Sequence, residues 1–214
     1  MPDYLKTVAE AVKNGDEKLT VQTVDEALKA GIEAKEILSN GLVPGIQALG
    51  QLFKDGQAYL PEILISARAM RSGTEKLRPL LAGADVPNKG TVVIGTVEGD
   101  MHDIGKNLVK MMLESNGYDV HDLGVDVSAD AFAAEAKAVN ADIVATSALL
   151  TTTMTIIPAI AKALETAGLK SKVKMMIGGA PITRQFADEI GVAGYADDCA
   201  SAVDEADRLM KLAA

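Results

Sequence analysis

Cysteine and histidine are scarce in this chain, which has one cysteine and two histidines among 214 residues. Cys199 has no second thiol to pair with, so an internal disulfide is excluded. Together with Cys199, His102 and His121 are too few for a Cys/His zinc site. Cys199 lies near the start of the last predicted helix, and we interpret it as a small packing residue rather than a reactive thiol.

The chain also has few positively charged residues and no long apolar run. The chain has 21 Lys and Arg against 30 Asp and Glu, which gives a formal net charge of -9. Nucleic-acid affinity is largely basic and electrostatic, so we expect no nucleic-acid partner. No apolar stretch approaches the roughly 20 residues that a membrane-spanning helix needs, and no basic segment followed by an apolar one opens the chain. We therefore expect no membrane partner and a cytoplasmic location.

Helical signals fill the first 80 or so residues. Apolar residues recur at helical spacing before Gly15, Gly31 and Gly56, and again after Pro61, which predicts a bundle of four or five helices. Residues 83–90 have the Gly, Pro and Asn content of a linker. We therefore expect an all-α helical-bundle domain at residues 1–88.

A different pattern begins after this linker, where short β-rich apolar runs alternate with helical stretches. Strands are predicted at 91–97, 118–123, 142–146, 173–177 and near 194–195, and helices at 104–117, 129–139, 153–167, 181–190 and 198–212. Such alternation predicts a five-stranded parallel sheet covered on both faces, in a Rossmann-like (flavodoxin-like) domain at residues 89–214. Ligands of such sheets bind beyond the carboxyl ends of the strands.

A polar, glycine-flanked loop directly follows the first predicted strand. It reads Gly99-Asp100-Met101-His102-Asp103-Ile104-Gly105-Lys106-Asn107. An imidazole whose second ring nitrogen reaches a carboxylate is oriented and made more basic, as a metal ligand requires. The flanking glycines would let a bulky planar ligand approach the backbone closely. By itself, an Asp-x-His pair in a loop is usually a hydrogen-bonded surface pair.

At this loop the sequence resembles the cobalamin-binding modules of methyltransferase systems. These modules occur in cobalamin-dependent methionine synthase and in corrinoid proteins for methanol, methylamines and methoxyaromatics. The resemblance extends over nearly the whole chain and rests on D-x-H-x-x-G, here Asp100, His102 and Gly105. Two further blocks match, Ser147-Ala148-Leu149-Leu150-Thr151-Thr152-Thr153 after the third strand and Ile177-Gly178-Gly179-Ala180-Pro181 after the fourth.

The resemblance implies a cobalamin cofactor bound base-off/His-on, with His102 as the ligand to cobalt. The cofactor's benzimidazole would enter a slot lined by Ser147 and the turn at Gly178 and Gly179. Asp100 would accept a hydrogen bond from His102, and a hydroxyl at Thr153 would complete this relay. The residues implied to bind the cofactor in this domain are Gly99, Asp100, Met101, His102, Asp103, Ile104, Gly105, Ser147, Leu149, Thr151, Thr153, Gly178 and Gly179. Alternatively, Ser147 and the threonines cap the next helix, and Gly178-Gly179 is an ordinary turn.

The segment from Leu52 to Glu62 looks like the helical cap of the same family. By that match Phe53, Tyr59, Leu60 and Ile63 would cover the upper face of the corrin and shield the methyl group. These side chains could instead be ordinary core of the bundle.

The function implied by the resemblance is that of a methyl carrier, loaded as methylcobalamin and not catalytic alone. Its partners would be a substrate-specific methyltransferase, a second methyltransferase serving tetrahydrofolate or coenzyme M, and a reductive activase. Methanol, methylamines, glycine betaine and methoxylated aromatics remain open as methyl donors. The alternatives are a cobalamin-dependent sensor or regulator, for which we expect an additional effector domain, and the cobalamin subunit of a radical mutase.

Overall fold

The computed structural model describes residues 3–81 and 88–212. The chain divides into two compact units, Met1–Pro87 and Asn88–Ala214. Of the predicted linker, residues 83–87 lie outside the described residues. The assignment of independent domains to 1–88 and 89–214 stays a prediction until the parts are folded separately.

The first unit is helical in its described residues, as predicted. Its helices are α1 (Tyr4–Lys13), α2 (Glu17–Lys29), α3 (Ala34–Ile37), α4 (Val43–Lys54) and α5 (Leu60–Leu81), with a π-helical turn at Leu38–Leu42 between α3 and α4. The first two helices begin at aspartate caps, since Asp3 accepts from Lys6 N–H at 3.2 Å and Asp16 from Leu19 N–H at 2.9 Å. Glycines with positive φ follow α1 and α2, at Gly15 and Gly31.

The second unit is a five-stranded parallel sheet flanked by helices, which confirms the predicted fold class. The strands are β1 (Thr91–Thr96), β2 (Asp119–Asp122), β3 (Ile143–Ser147), β4 (Lys174–Gly178) and β5 (Gly194–Tyr195). The helices are α6 (Ile104–Ser115), α7 (Ala129–Ala138), α8 (Ile157–Thr166, after a 3-10 turn at Met154–Ile156), α9 (Arg184–Glu189) and α10 (Cys199–Lys211). The strand order is β2-β1-β3-β4-β5.

This strand order places a topological switch point between β1 and β3. From β1 the chain passes to β2 on one side, and it later returns to β3 on the other. Ligands of open α/β sheets bind in the crevice that such a reversal leaves at the carboxyl ends of the strands. The switch point therefore marks the ends of β1 and β3 as the place to look for a site.

The sheet is held by a core on both of its faces. On one face Val93, Val144 and Ile177 pack with Phe132 of α7 and Ile157 of α8, and all five are at most 1% exposed. Strands covered on both faces need nearly continuous apolar runs, which is what β1, β3 and β4 provide. The strands beneath the switch point are therefore well packed.

None of the helices within residues 3–81 and 88–212 is both long enough and apolar enough to cross a bilayer.

Candidate functional site

The loop from Val97 to Asp103 connects β1 to α6 at the switch point. Gly99 turns the chain with φ +78°, a conformation that costs glycine little. Asp100 N–H donates to Val97 O at 3.1 Å, and the Thr96 hydroxyl donates to His102 O at 2.9 Å. The first bond closes a turn within the loop, and the second ties the far part of the loop to the end of β1.

Asp100 and His102 form a close pair in this loop. His102 Nδ1 lies 2.7 Å from Asp100 Oδ1, and the His102 backbone N–H donates to the same oxygen at 3.1 Å. The Asp100 side chain is fully buried, whereas the His102 side chain is 52% exposed. A carboxylate at Nδ1 assigns the ring proton to that atom, which leaves the Nε2 lone pair available. Nε2 has no hydrogen-bond partner in the described part of the chain.

The other Asp100 oxygen is held from the β3 side. Oδ2 accepts from Leu149 N–H at 2.8 Å and from the Thr153 hydroxyl at 2.7 Å. Thr153 Oγ1 also lies 3.0 Å from Leu150 O, but its single proton is better placed on the charged acceptor. Burial raises the pKa of Asp100, yet the hydrogen bonds from Leu149, Thr153 and His102 outweigh it, so the pKa lies well below its ordinary value.

Large apolar side chains beside this pair are exposed. Met101 is 68% exposed, Ile104 74%, Leu149 42% and Leu150 43%. A Cβ at Gly105 would meet nothing within 4 Å. Leu150 was not among the predicted site residues, although it lies within a matching block. An open imidazole flanked by exposed apolar side chains forms a surface suited to a large, flat apolar ligand.

The turn after β4 brings Gly178 and Gly179 next to β3. A Cβ at Gly179, where φ is +126°, would collide with Ala148 O, and one at Gly178 would lie 2.8 Å from Ala196 O. Contacts within the protein therefore require glycine at both positions. The slot for the cofactor's benzimidazole beside these two glycines stays a prediction.

The remaining predicted residues of the second unit lie around the pair of Asp100 and His102. Ser147 ends β3 opposite Gly178, and its carbonyl accepts from Val97 N–H at 3.0 Å. Asp103 is the N-cap residue of α6, and its Oδ2 accepts from Asn107 at 3.1 Å. Thr151 is exposed in the turn before the 3-10 helix.

The four predicted residues of the first unit differ in exposure. Tyr59 is 71% and Leu60 38% exposed at the start of α5, and Phe53 of α4 is half-buried. Ile63 is fully buried. Its burial favours the alternative that Ile63 is part of the bundle core, whereas the exposed side chains of Tyr59 and Leu60 can contact a ligand.

Sequence reasoning assigned no role to Lys106, although this residue lies in the Gly99–Asn107 motif. Lys106, on the first turn of α6, is 2% exposed, and its Nζ lies 2.6 Å from Asp122 Oδ1 at the end of β2. Burial raises the pKa of Asp122, but the hydrogen bonds from Lys106, Gly124 N–H and Lys110 and the charge of Lys106 together outweigh it, so the pKa is lowered. This ion pair ties the start of α6 to the sheet. Its partners lie 16 residues apart, so no local motif marks it.

Cys199 lies at the start of α10 and is 6% exposed. Burial, and then the charge of Asp198, raise the pKa of its thiol to about 11. The geometry agrees with the interpretation of Cys199 as a packing residue.

Comparison with known proteins identifies the family. Two family models, each described as a B12 binding domain, match residues 90–204 and 4–78. The chain is 41% identical to trimethylamine corrinoid protein 2 of Methanosarcina acetivorans, over 95% of this chain and 94% of the relative. It is 42% identical to the dimethylamine corrinoid protein of Methanosarcina barkeri, over 97% and 98%.

A solved structure supports the same family assignment. The methanol:cobalamin methyltransferase complex MtaBC of Methanosarcina barkeri contains a chain that matches with a TM-score of 0.86 and 32% identity, over 98% of this chain and 81% of that one. These findings confirm the resemblance seen in the loop motif and the predicted cofactor, cobalamin. The chain belongs to the B12-binding family, among the corrinoid proteins of methyltransferase systems.

Proposed function

We propose that this protein carries a methyl group on cobalamin, with His102 Nε2 as the protein ligand to cobalt in a base-off/His-on state. The observation that carries the proposal is the buried, ionised Asp100, which holds His102 Nδ1 at 2.7 Å while the His102 side chain is 52% exposed. An imidazole held in this way is a good metal ligand.

The residues present fit such a cofactor. A single imidazole supplies one ligand, so the metal must bring the others with it, as metals in macrocycles do. The exposed apolar side chains at Met101, Ile104 and Leu149 and the open backbone at Gly105 can pack against a ring. When bound, cobalamin supplies a cobalt ion that can accept a methyl group from one partner and release it to another.

The protein's own groups orient the ligand and handle a proton. Asp100 keeps the Nδ1 proton in place, so the Nε2 lone pair stays available to a metal. Thr153 and Leu149 N–H keep Asp100 ionised in a buried position. His102 can therefore bind or leave a metal without leaving a buried charge unpaired.

The proposal extends to the other predicted cofactor contacts. In the second unit these are Gly99, Asp103, Ser147, Thr151, Gly178 and Gly179. In the first unit Phe53, Tyr59 and Leu60 are proposed contacts to the corrin. Ile63 would support them from within the core.

We propose a substrate-specific methyltransferase as donor partner and a second methyltransferase, acting on tetrahydrofolate or coenzyme M, as acceptor partner. A reductive activase would restore inactive cofactor. Relatives at 41% and 42% identity are named for trimethylamine and dimethylamine. Methylated amines are therefore the donors to test first.

The test uses protein reconstituted with cobalamin, reduced, and mixed with a methylamine methyltransferase and isotope-labelled methylamine. We expect label to appear on the protein-bound cofactor and to leave it when the second methyltransferase and its acceptor are added. His102→Ala should still bind cobalamin through contacts to the ring and tail, but it should lose the His-on visible spectrum. Labelling absent with every donor class, or a His102→Ala spectrum identical to that of the wild type, would contradict the proposal.

A further inference from the structure

The connection between β2 and α7 passes beside the His102 loop. It contains Asp126, an exposed residue with φ +55°. This left-handed conformation is uncommon except for glycine, asparagine and aspartate. Asp126 lies outside every motif that the sequence analysis used, and nothing derived so far gives it a role.

Asp126 makes two hydrogen bonds to the loop. Its Oδ1 accepts from Gly99 N–H at 2.7 Å, and its own N–H donates to Asp100 O at 3.0 Å. The next residue continues the contact, because Val127 N–H donates to Thr96 O at 3.0 Å. The β2–α7 connection thus runs against the backbone of the loop from the end of β1 to Asp100.

The loop is held differently on its two sides. On the β3 side, Leu149 N–H and the Thr153 hydroxyl both end on the Asp100 carboxylate, the group that also holds His102. On the β2 side, Asp126 binds main-chain atoms, the N–H of Gly99 and the carbonyl oxygen of Asp100. The first set therefore shares the Asp100 carboxylate with His102, whereas the second set does not involve that carboxylate.

We propose that Asp126 is a positioning residue that holds the backbone of the loop at Gly99 whether or not His102 is bound to metal. The inference rests on the proposed role of His102 as the cobalt ligand. Glycine is the most flexible residue of a chain, so an unheld Gly99 would let Asp100 and His102 move away together. Holding its N–H limits the loop to the shape that presents Nε2, and thereby favours the His-on state.

Substitutions at Asp126 can separate the side chain from the backbone conformation. Asp126→Gly removes the acceptor but tolerates φ +55° without strain. Asp126→Asn keeps an acceptor oxygen and the left-handed preference while removing the charge. Asn140→Gly is a matched control, because Asn140 is also exposed, has φ +53°, and lies between α7 and the amino end of β3, at the opposite end of the strands from the His102 loop.

The experiment has an apo and a holo measurement on the full chain. In the apo-protein, amide exchange of Gly99 is measured by NMR. We expect exchange at least about fivefold faster in Asp126→Gly, and close to wild type in Asp126→Asn and Asn140→Gly. In the protein reconstituted with cobalamin and reduced to cobalt(II), the His-on to His-off ratio is read from the nitrogen splitting in the EPR spectrum. Because Asp126→Gly loses one hydrogen bond, we expect its His-on to His-off ratio to be about two- to tenfold lower than that of wild type.

Each negative result has a distinct interpretation. Unchanged Gly99 exchange in Asp126→Gly would overturn the inference, and so would faster exchange with an unchanged His-on ratio. An equal loss in Asn140→Gly would show a general loss of stability and would also overturn it. A wild-type protein with no His-on signal would instead refute the proposed ligand role of His102, on which the inference depends.

Discussion

At the scale of single residues, the site depends on an ionised carboxylate that has no exposed surface. Burying a charge is costly unless hydrogen bonds replace its hydration. Asp100 receives four such contacts, two from His102 and one each from Leu149 and Thr153. Because they converge on one group, the loss of any one should weaken the whole arrangement.

Thr153→Val tests this directly. Valine has nearly the shape of threonine but cannot donate to Asp100 Oδ2. We expect the free energy of unfolding to fall by about 1–3 kcal/mol, the cost of removing one hydrogen bond from a buried charge, and the His-on ratio of the reconstituted protein to fall with it. Urea unfolding and the cobalt(II) EPR spectrum provide the two measurements. Thr153→Ser keeps the hydroxyl and is the control. Equal behaviour of Thr153→Val and wild type would show that the hydroxyl is dispensable.

The family resemblance predicted Asp100 and His102 from the loop motif and Thr153 from the block that begins at Ser147, because a family pattern records residues that lie far apart in the chain. Asp126 and Leu150 were not predicted as site residues. The hydrogen bond from Gly99 to Asp126 joins residues 27 positions apart, and no spacing rule marks such a contact. Leu150 reads as an ordinary apolar residue, and only its 43% exposure sets it apart.

At the scale of helices and strands, two glycines near the site have opposite structural roles. Gly179, in the turn after β4, has φ +126° and no room for a Cβ beside Ala148. Gly105, in the first turn of α6, has open space on its Cβ side. One is required by the fold and the other is not.

We expect Gly179→Ala to lower the free energy of unfolding by about 2 kcal/mol or more, since both strain and a backbone collision result. Gly105→Ala should leave the apo-protein equally stable or raise its stability by up to about 1 kcal/mol, the helix preference of alanine over glycine. It should nevertheless weaken cobalamin binding if the ring packs on that backbone. Thermal unfolding and a binding titration measure both effects. A Gly105→Ala protein that binds cobalamin as tightly as wild type would remove Gly105 from the site.

Glu205 of α10 connects α10 to β5 and α9. It accepts from Arg208 Nε at 2.7 Å, from Tyr195 N–H at 2.9 Å and from Arg184 at 3.1 Å, and it is 8% exposed. The hydrogen bond from Arg208 lowers its pKa from 4.5 to about 2, against the effect of burial. A carboxyl group with a lowered pKa in the folded state stabilises the protein at pH values above its ordinary pKa. This stabilisation is lost as the pH falls toward the pKa of the folded state.

Glu205→Gln should therefore be less stable than wild type by about 2 kcal/mol at neutral pH. The difference should shrink as the pH falls from 4.5 toward about 2, because both proteins then carry a neutral side chain. Urea unfolding across this range measures the difference. A gap between the two proteins that stays constant down to pH 2 would contradict the ionised network.

Most elements of the second unit follow from local patterns. The helix predicted at 104–117 is Ile104–Ser115, and the strand predicted at 173–177 is Lys174–Gly178. The π-helical turn at Leu38–Leu42 was not predicted. A Cβ at Gly41 in that turn would lie 3.2 Å from Val8 of α1, so its shape depends on packing between helices that no periodicity reveals.

At the scale of the whole molecule, the chain consists of two compact units. The core cluster that covers one face of the sheet contains residues between Val93 and Val192 only, all from the second unit. The hydrogen-bonded strands also belong to that unit. The second unit therefore contains its own sheet and core.

We expect the fragment 88–214, expressed alone, to fold with a single cooperative thermal transition. Circular dichroism and a dispersed NMR spectrum would establish this. A fragment that shows no cooperative transition would contradict the division into independent domains at residues 1–88 and 89–214.

The family could be predicted from the loop motif, the two later blocks and the alternation of strands and helices, and the comparisons confirm it. The methyl donor could not be predicted. In the proposed role the donor binds to a partner enzyme, so no residue of this chain has to recognise it.

The most direct test of the account asks whether His102 binds the metal. The chain has two histidines, so protein labelled with ¹⁵N-histidine and reconstituted with unlabelled cobalamin carries a labelled imidazole at only two positions. The account predicts that the EPR splitting of the cobalt(II) form changes from a triplet to a doublet on labelling, in wild type and in His121→Asn, but not in His102→Ala. A triplet that persists in the labelled wild-type protein would mean that the cofactor's own base holds the metal, and would contradict the account.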